Sequence, residues 1–279
     1  MEKILIAIDS HKMNIHAVNF ACYLANLTDS SLTGIFLNHT PEQMLTSTEL
    51  EAGSENTRTF MNEAAWNISA EEESPRSNMI RFSNIANERA VNFNMLREEG
   101  LPGLALAAET RYADILIMDA GTSFSGKPDT TPSQFVEEIL QISECPVIIA
   151  PDRFEGVDSI LFCFNTGKSS AYAIKQFTYL FPEYSNKKMR VLLLNREEEW
   201  DEDDLNALME WLQDHYDDVE IIPADTNNGD DNWIHLVVRN TDMIVMGAYG
   251  KGLLHAFFED QWKGNQLYSS HAPVFIAHY

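Results

Sequence analysis

Apolar residues in this chain fall into short unbroken runs, and between the runs they recur every third or fourth position. The run "KILIAI" (3–8) has strand length and no alternation, as expected of a strand buried on both faces. After it, Ala17, Phe20, Ala21 and Leu24 follow the i, i+3, i+4, i+7 spacing of a helix face. The alternation continues through "LTGIFL", a helix opened by Pro75, "VNFNML", a helix after Gly100-Leu101-Pro102, "DILIM", a helix from Pro132, and "PVIIA". A second series runs "ILFCF", a helix through Ile174 and Phe177, "RVLLL", "DDLNALMEWLQDHY", "VEIIPA", "NWIHLVV", "MIVMG", a last helix and "PVFIA". In its second helix Leu205, Leu208, Met209 and Leu212 share one face, with Asp203 and Asp204 at the N-terminal dipole. Strands and helices in strict alternation predict parallel sheets covered on both faces. Right-handed crossovers then make a doubly wound fold whose ligands meet the carboxyl ends of the strands.

The two series are one unit written twice. "ILIAIDS" (4–10) returns as "ILFCFNT" (160–166), so that Asp9 and Asn165 correspond. "ADILIMDAG" (113–121) returns as "TDMIVMGAY" (241–249), and "CPVIIAP" as "APVFIAH". The first offset is 156 residues and the second 128, so the first copy carries 28 extra residues (156 − 128) between Asn38 and Asn87. The connector "PDRFEGVDS" (151–159) places the boundary, giving domains 1–152 and 153–279.

Composition narrows the function classes. An apolar share of 44% fits a folded chain, and a net charge of −24 with no basic patch argues against nucleic acid or an anionic membrane as partner. The N-terminal apolar run is too short for a signal peptide, and no stretch approaches a membrane span. Cys22, Cys145 and Cys163 lie in apolar stretches without pairing or metal spacing, so buried thiols in a reducing cytoplasm are expected.

A strand ending in Asp before a helix, the late strand "IVMGAYG" and the closing "PVFIAH" resemble the universal stress protein family in its tandem form. The resemblance covers essentially the whole chain, and "SSAYAIKQFTYLFPE" with "MIVMGAYG…APVFIAH" makes the second copy the better match. It implies two tandem α/β domains, each a doubly wound, mostly parallel five-stranded sheet covered by helices on both faces. It also implies that the final strands, Val147–Ala150 and Val274–His278, meet across a pseudo-twofold axis relating the domains.

Some members of that family bind ATP, through Gly-x-x-Gly, nine residues, then Gly-Ser or Gly-Thr, with an Asp ending the first strand. Against this pattern the candidate cofactor residues here are Asp9, Asn165, Met246, Gly247, Gly250, Asp260 and Gln261. The second copy keeps Gly247 and Gly250, just after Met246, but has Asp260-Gln261 for Gly-Ser and Asn165 for Asp. The first keeps Asp9 but has Asp119 and Thr122 at the glycine positions. A carboxylate about 5 Å from a phosphate oxygen, at an effective dielectric of about 20, costs roughly 3 kcal/mol, on the order of a hundredfold in affinity. Asp260 would therefore repel the phosphate, and would instead serve as N-cap to the last helix. In the first copy "TPSQ" (131–134) reads as a closed helix start, with Thr131 as N-cap, Pro132 at N1 and Gln134 completing a capping box.

Other motifs weigh less. "GTSFSGKP" (121–128) approaches a Walker A loop, but Pro128 replaces the magnesium-binding hydroxyl and blocks the helix that must follow. It also misses the nucleophile elbow, since Ser125 stands where the second glycine belongs. "EEEWDEDD" (197–204) and "DTNNGDD" (225–231) lack the register of a calcium loop, and no histidine pair has zinc spacing, so no metal is expected. His255 and His271 read as surface or pocket-lining polar residues. With no nucleophile–base constellation, no catalytic residue and no cofactor are expected. The expectation is a non-enzymatic cytoplasmic stress-response protein, built as an intramolecular domain pair and acting through self-association as a homo-oligomer or an unidentified protein partner. The alternative is an ATP-binding stress protein with slow ATP hydrolysis.

Overall fold

The runs that lack alternation become interior strands. In β1 (Lys3–Asp9) every residue from Ile4 to Ile8 is buried, and in β2 (Ser31–Asn38) every residue from Leu32 to Leu37. A computed structural model describes residues 1–38, 57–60, 74–99, 101–124, 131–194, 202–223, 237–247 and 272–277. These fall into two compact units, Met1–Cys145 and Pro146–Tyr279.

In the first unit α1 (Ile15–Leu27) starts on Asn14, whose Oδ1 accepts from the backbone N–H groups of His16 at 2.9 Å and Ala17 at 3.4 Å. The sequence-predicted face Ala17, Phe20, Ala21 and Leu24 is buried. After a short strand β3 (Thr57–Phe60), α2 (Pro75–Glu88) opens with Pro75 in its first turn and a reciprocal capping box between Ser74 and Ser77. It settles onto β2 at Gly34, where any Cβ would stand 2.9 Å from Cζ of Phe82. There follow β4 (Phe93–Glu99), α3 (Pro102–Thr110), β5 (Ile115–Asp119) and α4 (Gln134–Ile142). The strand order is β3-β4-β2-β1-β5, parallel except for β3, which runs antiparallel to β4. Helix α1 packs with α2, and α3 with α4, as right-handed crossovers from opposite directions require.

The second unit contains β6 (Val147–Ala150), β7 (Ser159–Phe164), α5 (Lys168–Leu180), a single 3-10 turn at Pro182–Tyr184, and β8 (Lys188–Leu193). It continues with α6 (Glu202–Gln213), β9 (Val219–Pro223), β10 (Asp242–Gly247) and β11 (Val274–Ala277). The order is β6-β11-β10-β7-β8-β9, parallel except that β6 and β11 are antiparallel, with Phe275 opposite Ile148. Phe177 of α5 centres an aromatic core, 5.9 Å from Phe162, 5.0 Å from Phe181 and 5.4 Å from Phe275 between ring centroids. The strand near the C-terminus is thus a wall of this core. On α6, Leu208 and Leu212 are buried while Leu205 and Met209 are half-buried. The runs "NWIHLVV" and the last helix fall wholly or largely outside the described residues.

The final strands of the copies pair, β6, last in the first repeat, lying antiparallel to β11 within the second unit. The first unit takes β3 from the inserted segment as its outer strand.

All three cysteines are free and buried. Burial pushes the Cys145 and Cys163 thiols up to about 12, and the Cys22 thiol up to about 11. An unfolded thiol titrates near ~8.5, so the folded state holds its protons more tightly. The resulting stability is complete below the unfolded value and is lost as pH climbs through it toward the folded ones. Urea midpoints are therefore expected to be level around neutrality and to fall above about pH 9, less steeply in Cys163→Ala. A thiol reagent should label the native protein slowly and all three sites in urea; fast native labelling would contradict the burial.

Candidate functional site

In a doubly wound sheet the ligand crevice opens where strand order reverses, at the carboxyl ends of the central strands. Here these are the ends of β1 and β5 in the first unit and of β7 and β10 in the second. Of the sequence-predicted residues, Asp9, Asn165, Met246 and Gly247 lie at these ends. Gly250, Asp260 and Gln261 lie outside the described residues, as do His255 and His271.

Asp9 and Asn165 do the same local work. Asp9 Oδ1 accepts from the backbone N–H of His11 at 2.8 Å, and Asn165 Oδ1 accepts from that of Gly167 at 3.1 Å. Each is an Asx turn that lifts the chain off the strand toward its helix. Asn165 Oδ1 also accepts from Ser170 Oγ at 2.8 Å, and Ser170 Oγ lies 2.8 Å from the Gly167 carbonyl. Both turns use an Oδ1 acceptor that a carboxylate and an amide share.

Gly247 ends β10 without a left-handed φ. Its bareness has another cause. A Cβ there would fall 2.7 Å from the carbonyl carbon of Ser169 and 2.8 Å from its oxygen, and against Ser169 Oγ as well. The β7-to-α5 connection is three residues, Asn165–Gly167, whereas β1 reaches α1 through five, Ser10–Asn14. Helix α5 therefore begins earlier, and its first turn lies directly on the end of β10. Met246 precedes this contact as a buried core residue.

In the first unit the loop after β5 is closed from within. Thr122 N–H donates to the Asp119 carbonyl at 3.0 Å, and Ser133 N–H to the Ala120 carbonyl at 2.9 Å. Ser133 Oγ donates to the Thr122 carbonyl and accepts from Val136 N–H at 3.1 Å. Ser133 is thus the N-cap of α4, correcting the expected Thr131; Pro132 precedes the helix, and Gln134 opens it without closing a capping box. The reason is tertiary, because Ser133 can cap the helix and bond the β5 loop at once. The conclusion that this helix start satisfies itself stands with a different residue.

The groups pairing β4 with β2 add a polar rim. With its amide oriented to match its neighbours, Asn38 donates to Ser10 Oγ at 3.1 Å and accepts from the Arg97 guanidinium at 2.8 and 3.0 Å. Asn78 Nδ2 donates to the Ser10 carbonyl at 3.0 Å. At the opposite end of the second sheet lies an unforeseen buried ion pair, Arg190 Nη1 to Asp242 Oδ2 at 2.9 Å, both side chains within 5% exposure. Ser159 Oγ and Arg239 N–H also donate to Asp242. The arginine in "RVLLL" is the only local signal for it, because its partner is 52 residues away. Among the described residues no cluster of His, Cys, Asp and Glu could hold a metal ion, and no helix is long and apolar enough to cross a membrane.

Neither a family model nor a curated protein matches this sequence. Solved structures do match the fold. A universal stress protein from Archaeoglobus fulgidus DSM 4304 is similar with TM-score 0.62 and 11% identity, over 99% of this chain and 98% of that one. A functionally unknown protein of Pseudomonas aeruginosa PAO1 gives 0.57 and 12%, over 100% and 92%. A provisionally named universal stress protein of Pseudomonas aeruginosa UCBPP-PA14 gives 0.58 and 11%, over 100% and 93%. The chain has the fold of the universal stress proteins along nearly its whole length.

Proposed function

We propose that this chain is a non-enzymatic, cytoplasmic stress-response protein of the tandem universal stress type, acting through a protein partner or self-association rather than through a bound nucleotide. The shared fold supports the class. The observation that carries the reading is the packing of Ser169 on Gly247: the glycine most suggestive of a phosphate loop has a structural reason to be glycine. Asp9 and Asn165 are likewise occupied in Asx turns, and the β5 loop bonds to Ser133. In the sequence, Asp260 adds a carboxylate where the phosphate would approach.

The experiment has two parts. Mass spectrometry of small molecules released from freshly purified protein on denaturation is expected to find no adenine nucleotide. Calorimetry with millimolar ATP and magnesium is expected to show no heat of binding. A co-purifying nucleotide, or binding in the micromolar range, would replace this reading with an ATP-binding one.

A further inference from the structure

Helices α5 and α6 of the second unit, with the turn that follows α6, carry an aromatic platform at the surface. Tyr179 is 59% exposed, and its ring lies 6.0 Å, edge-on, from Trp211 and 6.3 Å from His215. Trp211 and His215 stack at 4.0 Å and 29°, with His215 Nδ1 2.8 Å from the Trp211 carbonyl. Beneath them Tyr216 is buried against Phe162, and its hydroxyl donates to Thr178 Oγ1 at 2.7 Å. That bond ties the end of α6 to α5 at the residue beside Tyr179, so the three rings are held in place before any partner arrives.

The charge around the platform is predominantly negative. Residues 202–218 contain Glu202, Asp203, Asp204, Glu210, Asp214, Asp217 and Asp218, and no lysine or arginine. Asp204 and Asp214 lie on the helical stripe of Trp211, at i−7 and i+3. Helix α6 has no basic residue in its last turn, and Asp214, Asp217 and Asp218 follow at its negative dipole end, where cations are favoured. The nearby cation on α5 is Lys175, one turn before Tyr179, and Glu183 follows that helix. The exposed Tyr179 ring beside the half-buried Trp211–His215 stack, set in a negative field, attracts cations, above all guanidinium groups that stack flat. A second copy of this acidic chain would bring like charge to like charge. We propose that Tyr179, Trp211 and His215 form a docking platform for an arginine-containing basic segment of a partner protein. The inference gives a surface and a chemistry to the partner-binding reading above, on which it rests.

The probe is a blocked peptide with several arginines spaced by glycine and serine, compared with the same peptide carrying citrulline in their place. Calorimetry on the full chain at physiological salt should show the arginine peptide binding and the citrulline peptide not. Tyr179→Ala and Trp211→Leu should each weaken binding by about threefold to tenfold. Glu144→Gln, a charge change in the other unit, should leave it unchanged. Tyr179 is exposed, so its variant folds independently of any question about Trp211. If both aromatic variants bind as the parent does, attraction is diffuse and the platform is overturned; absence of binding by the parent overturns it equally. Neither result bears on the absence of nucleotide, which is tested separately.

Discussion

Asp242→Leu is expected to cost about 3–5 kcal/mol, a third or more of the total stability of an ordinary domain. Asp242 is fully buried, and its removal strands a buried guanidinium together with the Ser159 hydroxyl and the Arg239 N–H. The remaining Arg190 contact, Nη2 to the Val237 carbonyl at 2.9 Å, cannot offset a desolvated charge. Removing both partners leaves no charge unpaired, so Arg190→Met with Asp242→Leu should recover most of the loss. The first unit provides an internal control. Its equivalent, Asp114, is half-buried and accepts from the backbone N–H groups of Glu2 at 2.7 Å and Lys3 at 2.8 Å. Asp114→Ala breaks hydrogen bonds without stranding a buried cation, and about 1–2 kcal/mol is expected. Urea melts of the three variants give the comparison. A single Asp242 substitution costing no more than the Asp114 one would mean that the ion pair is not buried as described.

The alternation of strands and helices was readable because each interior strand is a continuous apolar run and each helix shows one apolar face, both local signals. Strand β3 was not, since "TRTF" is four residues within a polar insertion and gains its partner only through β4. At the helix start 131–134 the local pattern pointed to Thr131 as cap, whereas the structure uses Ser133. Only the bonds from Ser133 to Ala120 and Thr122, eleven and more residues back, select it. The same limit applied at the candidate site. Asp9 and Gly247 end their strands and Asn165 follows directly on β7, but their roles depend on what faces them. Propensity and spacing carry no information about Ser169 lying over Gly247, or about Asp242 meeting Arg190. The aromatic pair Trp211 and His215 has i, i+4 spacing in the sequence, yet the third ring comes from another helix.

The cause assigned to Gly247 makes the last prediction a large one. In Gly247→Ala the new Cβ meets backbone atoms of Ser169 at 2.7 and 2.8 Å, closer than a side-chain rotation can relieve. The start of α5 must shift, at about 1–3 kcal/mol, and Gly247→Val should reach the upper end of that range or exceed it. Trimming Ser169 to glycine should not rescue either variant, because the obstructing carbonyl belongs to the backbone. At the equivalent position of the first unit Asp119 already carries a Cβ, beside a helix that starts later along the chain. Asp119→Gly should therefore relieve no clash, and should cost about 1–2 kcal/mol through lost backbone restriction and the lost contact from the Gly121 N–H to Asp119 Oδ1. If Gly247 were retained for phosphate binding, Gly247→Ala would abolish a nucleotide affinity and leave the urea midpoint unchanged. We expect the reverse: a large fall in midpoint and no change in ATP response, because α5, not a phosphate, occupies the space beside this glycine.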